Sequence, residues 1–117
     1  MGIAGQVPPD GLGIRTTRAD DSVELKLSGE LDLSQAATLK EEFVRALERL
    51  AQAGDTPTRL IVDLQDLTFI DSSGIQVLVS AKRRCLQHGV ELSLRIGDSQ
   101  VRRTLKLAGV SEFLGFE

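Results

Sequence analysis

A polar run, Asp71-Ser72-Ser73-Gly74, separates an apolar stretch ending at Ile70 from a region with helical patterning. At the start of a helix, free backbone N–H groups point outward and the macrodipole is positive, so a phosphate carried there is held by the helix terminus. The plain reading of the run is a capped helix start, with Asp71 or Ser72 accepting from the free N–H groups. The two readings are compatible, because one residue can cap while its neighbour is modified. Gly74 lets the backbone be approached closely by another molecule. A second polar cluster, Gly29-Glu30-Leu31-Asp32, falls where a strand ends and a helix begins. In open α/β sheets the loops at strand C-termini gather on one edge, where binding sites form. Asp32 is then a neighbour of Ser72 and Ser73, with helix capping as its plain role.

Other chemistry is thin. The one histidine, His88, has no second His or Cys near it, which argues against a transition-metal site. A cation there suits a helix C-terminus. Cys85 falls on the helical side of Leu78 and Ile75 and reads as a small buried apolar residue. Neither G-x-x-x-x-G-K-[ST] nor G-x-G-x-x-G occurs, so the strong nucleotide fingerprints are missing. Ile70 occupies the place of the first glycine of a G-x-S-x-G elbow around Ser72. The basic runs Lys82-Arg83-Arg84 and Arg102-Arg103 with Lys106 read as solvated helix faces, a partner patch being the sharper alternative.

The surrounding pattern says what positions these residues. Residues 1–11 hold two Pro and three Gly and read as a flexible tail. Leu12 to Thr17 and Val23 to Ser28 are strand-like, the second with Val23, Leu25 and Leu27 alternating with polar residues. Ala19-Asp20-Asp21-Ser22 between them predicts a hairpin. Leu39, Phe43, Leu47 and Leu50 recur at helical spacing, with Asp32 or Ser34 as the N-cap and an end near Gln52 to Gly54. Gly54-Asp55-Thr56-Pro57 is a loop. Leu60-Ile61-Val62-Asp63-Leu64 reads as a strand covered on both faces, interrupted at Gln65-Asp66 before Leu67 to Ile70.

A second helix runs from about Ser73 to His88, closed by Gly89, with Leu86 among its packed residues. Glu91 to Ile96 alternates as a strand. Asp98 or Ser99 caps a third helix whose Val101, Leu105 and Ala108 face inward, and residues 112–116 read as a short final strand. The order β-β-α-β-α-β-α-β predicts one α/β domain over residues 12–117. Its sheet is mixed and mostly parallel, with four to five strands, an N-terminal hairpin and right-handed crossovers.

Composition narrows the function classes. The 117 residues are 41% hydrophobic and 26% charged, ordinary for a globular domain. No stretch approaches the ~18 apolar residues of a membrane span. With 14 basic against 17 acidic residues and only four Phe as aromatics, the chain lacks both the basic footprint and the stacking rings of a nucleic-acid binder. A single cysteine and no secretory signal pattern fit a cytoplasmic protein. Without an obvious exposed apolar stripe, a monomer is expected.

In their order and spacing, Ser-Gly-Glu-Leu-Asp (28–32), Ile-Val-Asp-Leu (61–64), Phe-Ile-Asp-Ser-Ser-Gly (69–74) and Leu-Ala-Gly-Val (107–110) resemble the STAS domain, and within it the bacterial anti-sigma-factor antagonists. The resemblance covers roughly residues 12–117. It implies a protein that binds an anti-sigma factor, itself an ATP-dependent serine kinase, and so frees a sigma factor for transcription. It implies phosphorylation of Ser73, loss of binding in the phosphorylated form, and restoration by a separate serine phosphatase. Asp32, Asp71, Ser72, Ser73 and Gly74 would form the partner-binding surface. No catalysis, cofactor or metal belongs to such an antagonist. Two features depart from the family: Leu33 stands where a polar residue is common, and the chain stops where relatives often continue with a further helix. The alternative is an adaptor subunit that is not phosphorylated and docks on a transporter or a stress-signalling complex. A small enzyme or nucleotide-binding protein is a third class, for which the motifs are lacking.

Overall fold

The computed structural model describes residues 11–52 and 58–116. Its elements are β1 (Leu12–Arg18), β2 (Ser22–Leu31), α1 (Leu33–Ala51), β3 (Thr58–Ile70), α2 (Ser72–His88), β4 (Val90–Arg95), α3 (Gln100–Leu107) and α4 (Ser111–Leu114). The four strands lie side by side in chain order, β1 antiparallel to β2 and the rest parallel. The hairpin closes through the Ala19 N–H, which donates to the Ser22 carbonyl at 2.9 Å. Helix α1 packs on β2 and β3, helix α2 on β3 and β4, and the two helices touch each other. Leu39, Phe43, Leu47 and Leu50 form the buried stripe of α1 as their spacing predicts. They meet Val23, Leu25 and Leu27 of β2 and Leu60, Val62 and Leu64 of β3 in one core.

Strand β3 is continuous where the sequence suggested an interruption. Its ladder with β2 slips twice. Lys26 faces Asp63 while Ser28 faces Asp66, and Gly29 faces Leu67 while Glu30 faces Phe69. Each slip places one surplus residue in β3, a β-bulge. The buried positions accordingly pass from a spacing of two (Leu60, Val62, Leu64) to a spacing of three (Leu67, Ile70). A strand with strict alternation would have turned Leu67 outward. Asp63, a buried carboxylate, accepts from the Gln65 N–H at 2.9 Å and so fixes the first slip. Gly29 adopts φ 91 at the second slip, a backbone region that side chains resist. Thr68 Oγ1 donates to the Gly29 carbonyl there, at 3.0 Å.

The C-terminal segment corrects the sequence reading. Residues 111–114 form a one-turn helix and no fifth strand exists among the described residues. Leu114 is the buried member of that turn, and Gly115 ends it with φ 86. Arg102 ties the segment down by lying 5.5 Å from the centre of the Phe116 ring while donating to the Ile96 and Gly97 carbonyls. Ala108 is exposed rather than inward, because α3 ends at Leu107 and leaves the core there. Leu86 is also exposed, next to the buried Cys85 on α2. The tail assigned to residues 1–11 lies outside the described residues except for Gly11. Gly11 is buried and accepts from the Glu30 N–H. The loop assigned to 54–57 lies wholly outside them.

Candidate functional site

The two polar clusters meet because β2 and β3 end together. Leu31 pairs with Ile70, and the next N–H, that of Asp71, donates to the Leu31 carbonyl at 3.2 Å. Asp32 and Asp71 therefore leave the sheet side by side, and each starts a helix. Asp32 caps α1, its Oδ1 accepting from the Ser34 N–H at 3.0 Å and the Ser34 hydroxyl at 2.6 Å. Asp71 caps α2 by accepting from the Gly74 N–H at 3.1 Å. Both carboxylates thus take the plain role open to them, and Ser99 does the same for α3.

With Asp71 as the cap, neither serine hydroxyl is used for that purpose. Ser72, the first residue of α2, is exposed; Ser73, the second, is half-buried. Gly74 is buried, and its role differs from the one expected. A Cβ there would come within 2.7 Å of Leu31 Cγ and 2.8 Å of Ile70 Cγ1. The close approach it permits is that of its own chain, with α2 pressed onto the paired ends of β2 and β3.

Ser73 lines an open depression of about 680 Å³ between α1 and α2. Leu33 and Ala36 form one wall, Ile75, Val77 and Val79 contribute from α2, and Val110 reaches in from the turn before α4. Leu33 is 75% exposed there. Leu33 is thus an exposed apolar side chain at the edge of this depression. Phe69, Leu107 and Phe113 are exposed too.

The charges lining the depression are Lys40 and Arg83, and among the described residues none of its lining is acidic. Sequence reading took Arg83 as part of a solvated face, with a partner patch as the alternative, and passed over Lys40, Gln76 and Ser80. The signal for them was available in the spacing. Residues 33, 36 and 40 share one face of α1, and 73, 76, 80 and 83 share one face of α2.

Cys85 is buried on the other flank of α2, and desolvation pushes its thiol up from 9.0 to about 11, with Lys82 pulling slightly the other way. It is a packing residue with almost no thiolate at neutral pH. Among the described residues no cluster of three His, Cys, Asp or Glu could hold a metal ion. None of the helices described is long and apolar enough to cross a membrane.

The sequence profile of the STAS domain matches residues 14–117. The chain belongs to the STAS domain family. Among relatives of this STAS domain, the anti-sigma-F factor antagonist RsfB of Mycobacterium tuberculosis is 27% identical over 104 residues, spanning 89% of this chain and 80% of that protein. The anti-sigma-B factor antagonist of Staphylococcus aureus is 26% identical over 103 residues, spanning 88% and 90%. Among solved structures, an anti-sigma factor antagonist from Mycobacterium paratuberculosis superposes with a TM-score of 0.76 at 20% identity, covering 95% of this STAS domain and 89% of that chain. The anti-sigma factor antagonist SpoIIAA in its unphosphorylated form gives 0.63 at 22% identity, covering 84% and 82%. Both share the fold described above.

Proposed function

We propose that this STAS domain is a cytoplasmic anti-sigma-factor antagonist that acts by binding rather than turnover and is switched off by phosphorylation of Ser73. The observation that carries this reading is the position of Ser73. It is half-buried, shares a depression between α1 and α2 with the exposed Leu33, and stands at the start of a 17-residue helix whose cap is supplied by Asp71. The names of the relatives point the same way. The partner is an anti-sigma factor with serine kinase activity, and a serine phosphatase reverses the modification.

In the modifying step the Ser73 oxygen attacks the γ-phosphorus of ATP. The new O–P bond replaces the bond to ADP, and the hydroxyl proton passes to a base on the kinase. The product carries about −1.5 to −2 charges at pH 7. The α2 N-terminus stabilises that charge, so the fold need not change. A partner packed on Leu33 and Val110 would instead have to desolvate it beside the carboxylates of Asp32 and Asp71. A charge left unpaired in an interface costs several kcal/mol, and each ~1.4 kcal/mol is tenfold in affinity. Ser72 supports its neighbour at the helix start.

Incubation with the cognate kinase and ATP, followed by mass spectrometry, should place one phosphate on Ser73 and none on a Ser73→Ala chain. Phosphate on Ser72 alone removes Ser73 from the mechanism. A chain that binds its partner and is never modified is an adaptor of the other kind.

A further inference from the structure

On the reading just given, we infer that the α1/α2 groove also selects the partner, by accepting an acidic amphipathic helix of the anti-sigma factor. Helices α1 and α2 each follow a strand of a parallel pair, so they run in the same direction and both begin at the Ser73 edge. Lys40 stands seven residues beyond Leu33, and Arg83 ten beyond Ser73. Both cations therefore sit at the end of the groove remote from the phosphorylation site. At 1.5 Å per residue the two walls are about 10 and 15 Å long, room for two to three turns of a partner helix.

The groove is graded along that length. Its Ser73 end is apolar, with Leu33 exposed as an anchor, its middle is small and uncharged at Ala36 and Gln76, and its far end is cationic. A ligand complementary to this gradient carries apolar side chains at one end and carboxylates at the other. Neither Lys40 nor Arg83 belongs to an ion pair of the described residues, and both are exposed, so their charge is available to a partner. Charges placed this way act on association rate and on the choice between partners. The far end is thus a recognition element separate from the switch at Ser73.

The test is a binding titration against the purified anti-sigma factor that phosphorylates this chain, at low and at high salt. The proteins compared are wild type, Ser73→Asp, Lys40→Glu with Arg83→Glu, Leu33→Gln, and Arg15→Glu as a control on exposed β1. The double reversal should weaken binding at least tenfold at low salt and flatten its salt dependence. Leu33→Gln should weaken it about tenfold at both salts, and Arg15→Glu should stay within twofold. Unchanged melting curves verify that the exposed substitutions leave the fold intact.

If Ser73→Asp abolishes binding while the double reversal changes nothing, the groove inference falls and the switch stands. If the double reversal weakens binding while Ser73→Asp does not, the switch falls and the groove stands. Equal losses from the double reversal and from Arg15→Glu reduce the effect to net charge and overturn the inference. A wild-type protein that does not bind overturns both.

Discussion

The groove beside Ser73 and the sheet face turned away from α1 and α2 meet solvent in opposite ways. On that sheet face, cations and anions from different strands find one another. Arg59 pairs with Glu91 at 3.1 Å, Arg95 with Glu24 at 3.4 Å, and Lys26 with Asp66 at 3.5 Å. In the groove, Leu33 lies open and two cations stand without an anion. Exposed pairs of this kind add little stability, so their value lies in leaving no strong demand for a partner. An apolar anchor beside unanswered charge makes the contrary demand. One domain thus presents a face that is complete by itself and another that is completed by association.

That contrast breaks most readily where the groove is held against the sheet. Gly74→Ala drives a methyl into Leu31 and Ile70, both buried with no room to yield. The expected loss is about 1–3 kcal/mol, exceeding any gain in helix propensity, and it is read as a lower urea midpoint at unchanged slope. Ser73 should also become a poorer kinase substrate, since its helix must shift.

An effect confined to alkaline pH sharpens the buried flank of α2. The Cys85 thiol ionises near pH 11 in the folded chain and near 9.0 when exposed. Its contribution is fully present below about pH 9 and is lost as pH rises through 11, because the unfolded chain releases the proton first. The loss is on the order of 2 kcal/mol over that window, and Cys85→Ala should show a flatter alkaline stability profile. The smallest effect belongs to the sheet face. Glu91→Ala should change stability by less than about 0.5 kcal/mol and leave partner affinity untouched. A change of several kcal/mol, or any loss of affinity, would mean that the face is not complete by itself.

The helices and their caps were legible in the sequence because capping and amphipathic spacing are local signals. Asp32, Asp71 and Ser99 each cap the helix that their position suggests. The meeting of the two strand ends, which brings Asp32 beside Asp71, was legible too, since it follows from parallel strands ending at one edge. Three things were hidden. The bulges of β3 make Gln65-Asp66 look like a break, because a surplus residue disturbs the period of two without ending the strand. Residues 112–116 are short and apolar and read as a final strand, yet a one-turn helix over Ser111–Leu114 buries Leu114 instead. The purpose of Gly74 was hidden because nothing in a sequence shows that Leu31 lies against it.

The surplus residues of β3 also set a length. Ile70 is level with Leu31 only because two positions of β3 are absorbed without advancing along β2. Deleting Gln65 would remove the first surplus residue and restore regular alternation, with Leu64 and Leu67 still on the buried face and Ile70 still level with Leu31. The proposed switch at Ser73 therefore tolerates the loss of one residue some eight positions upstream, because the strand that delivers it carries slack.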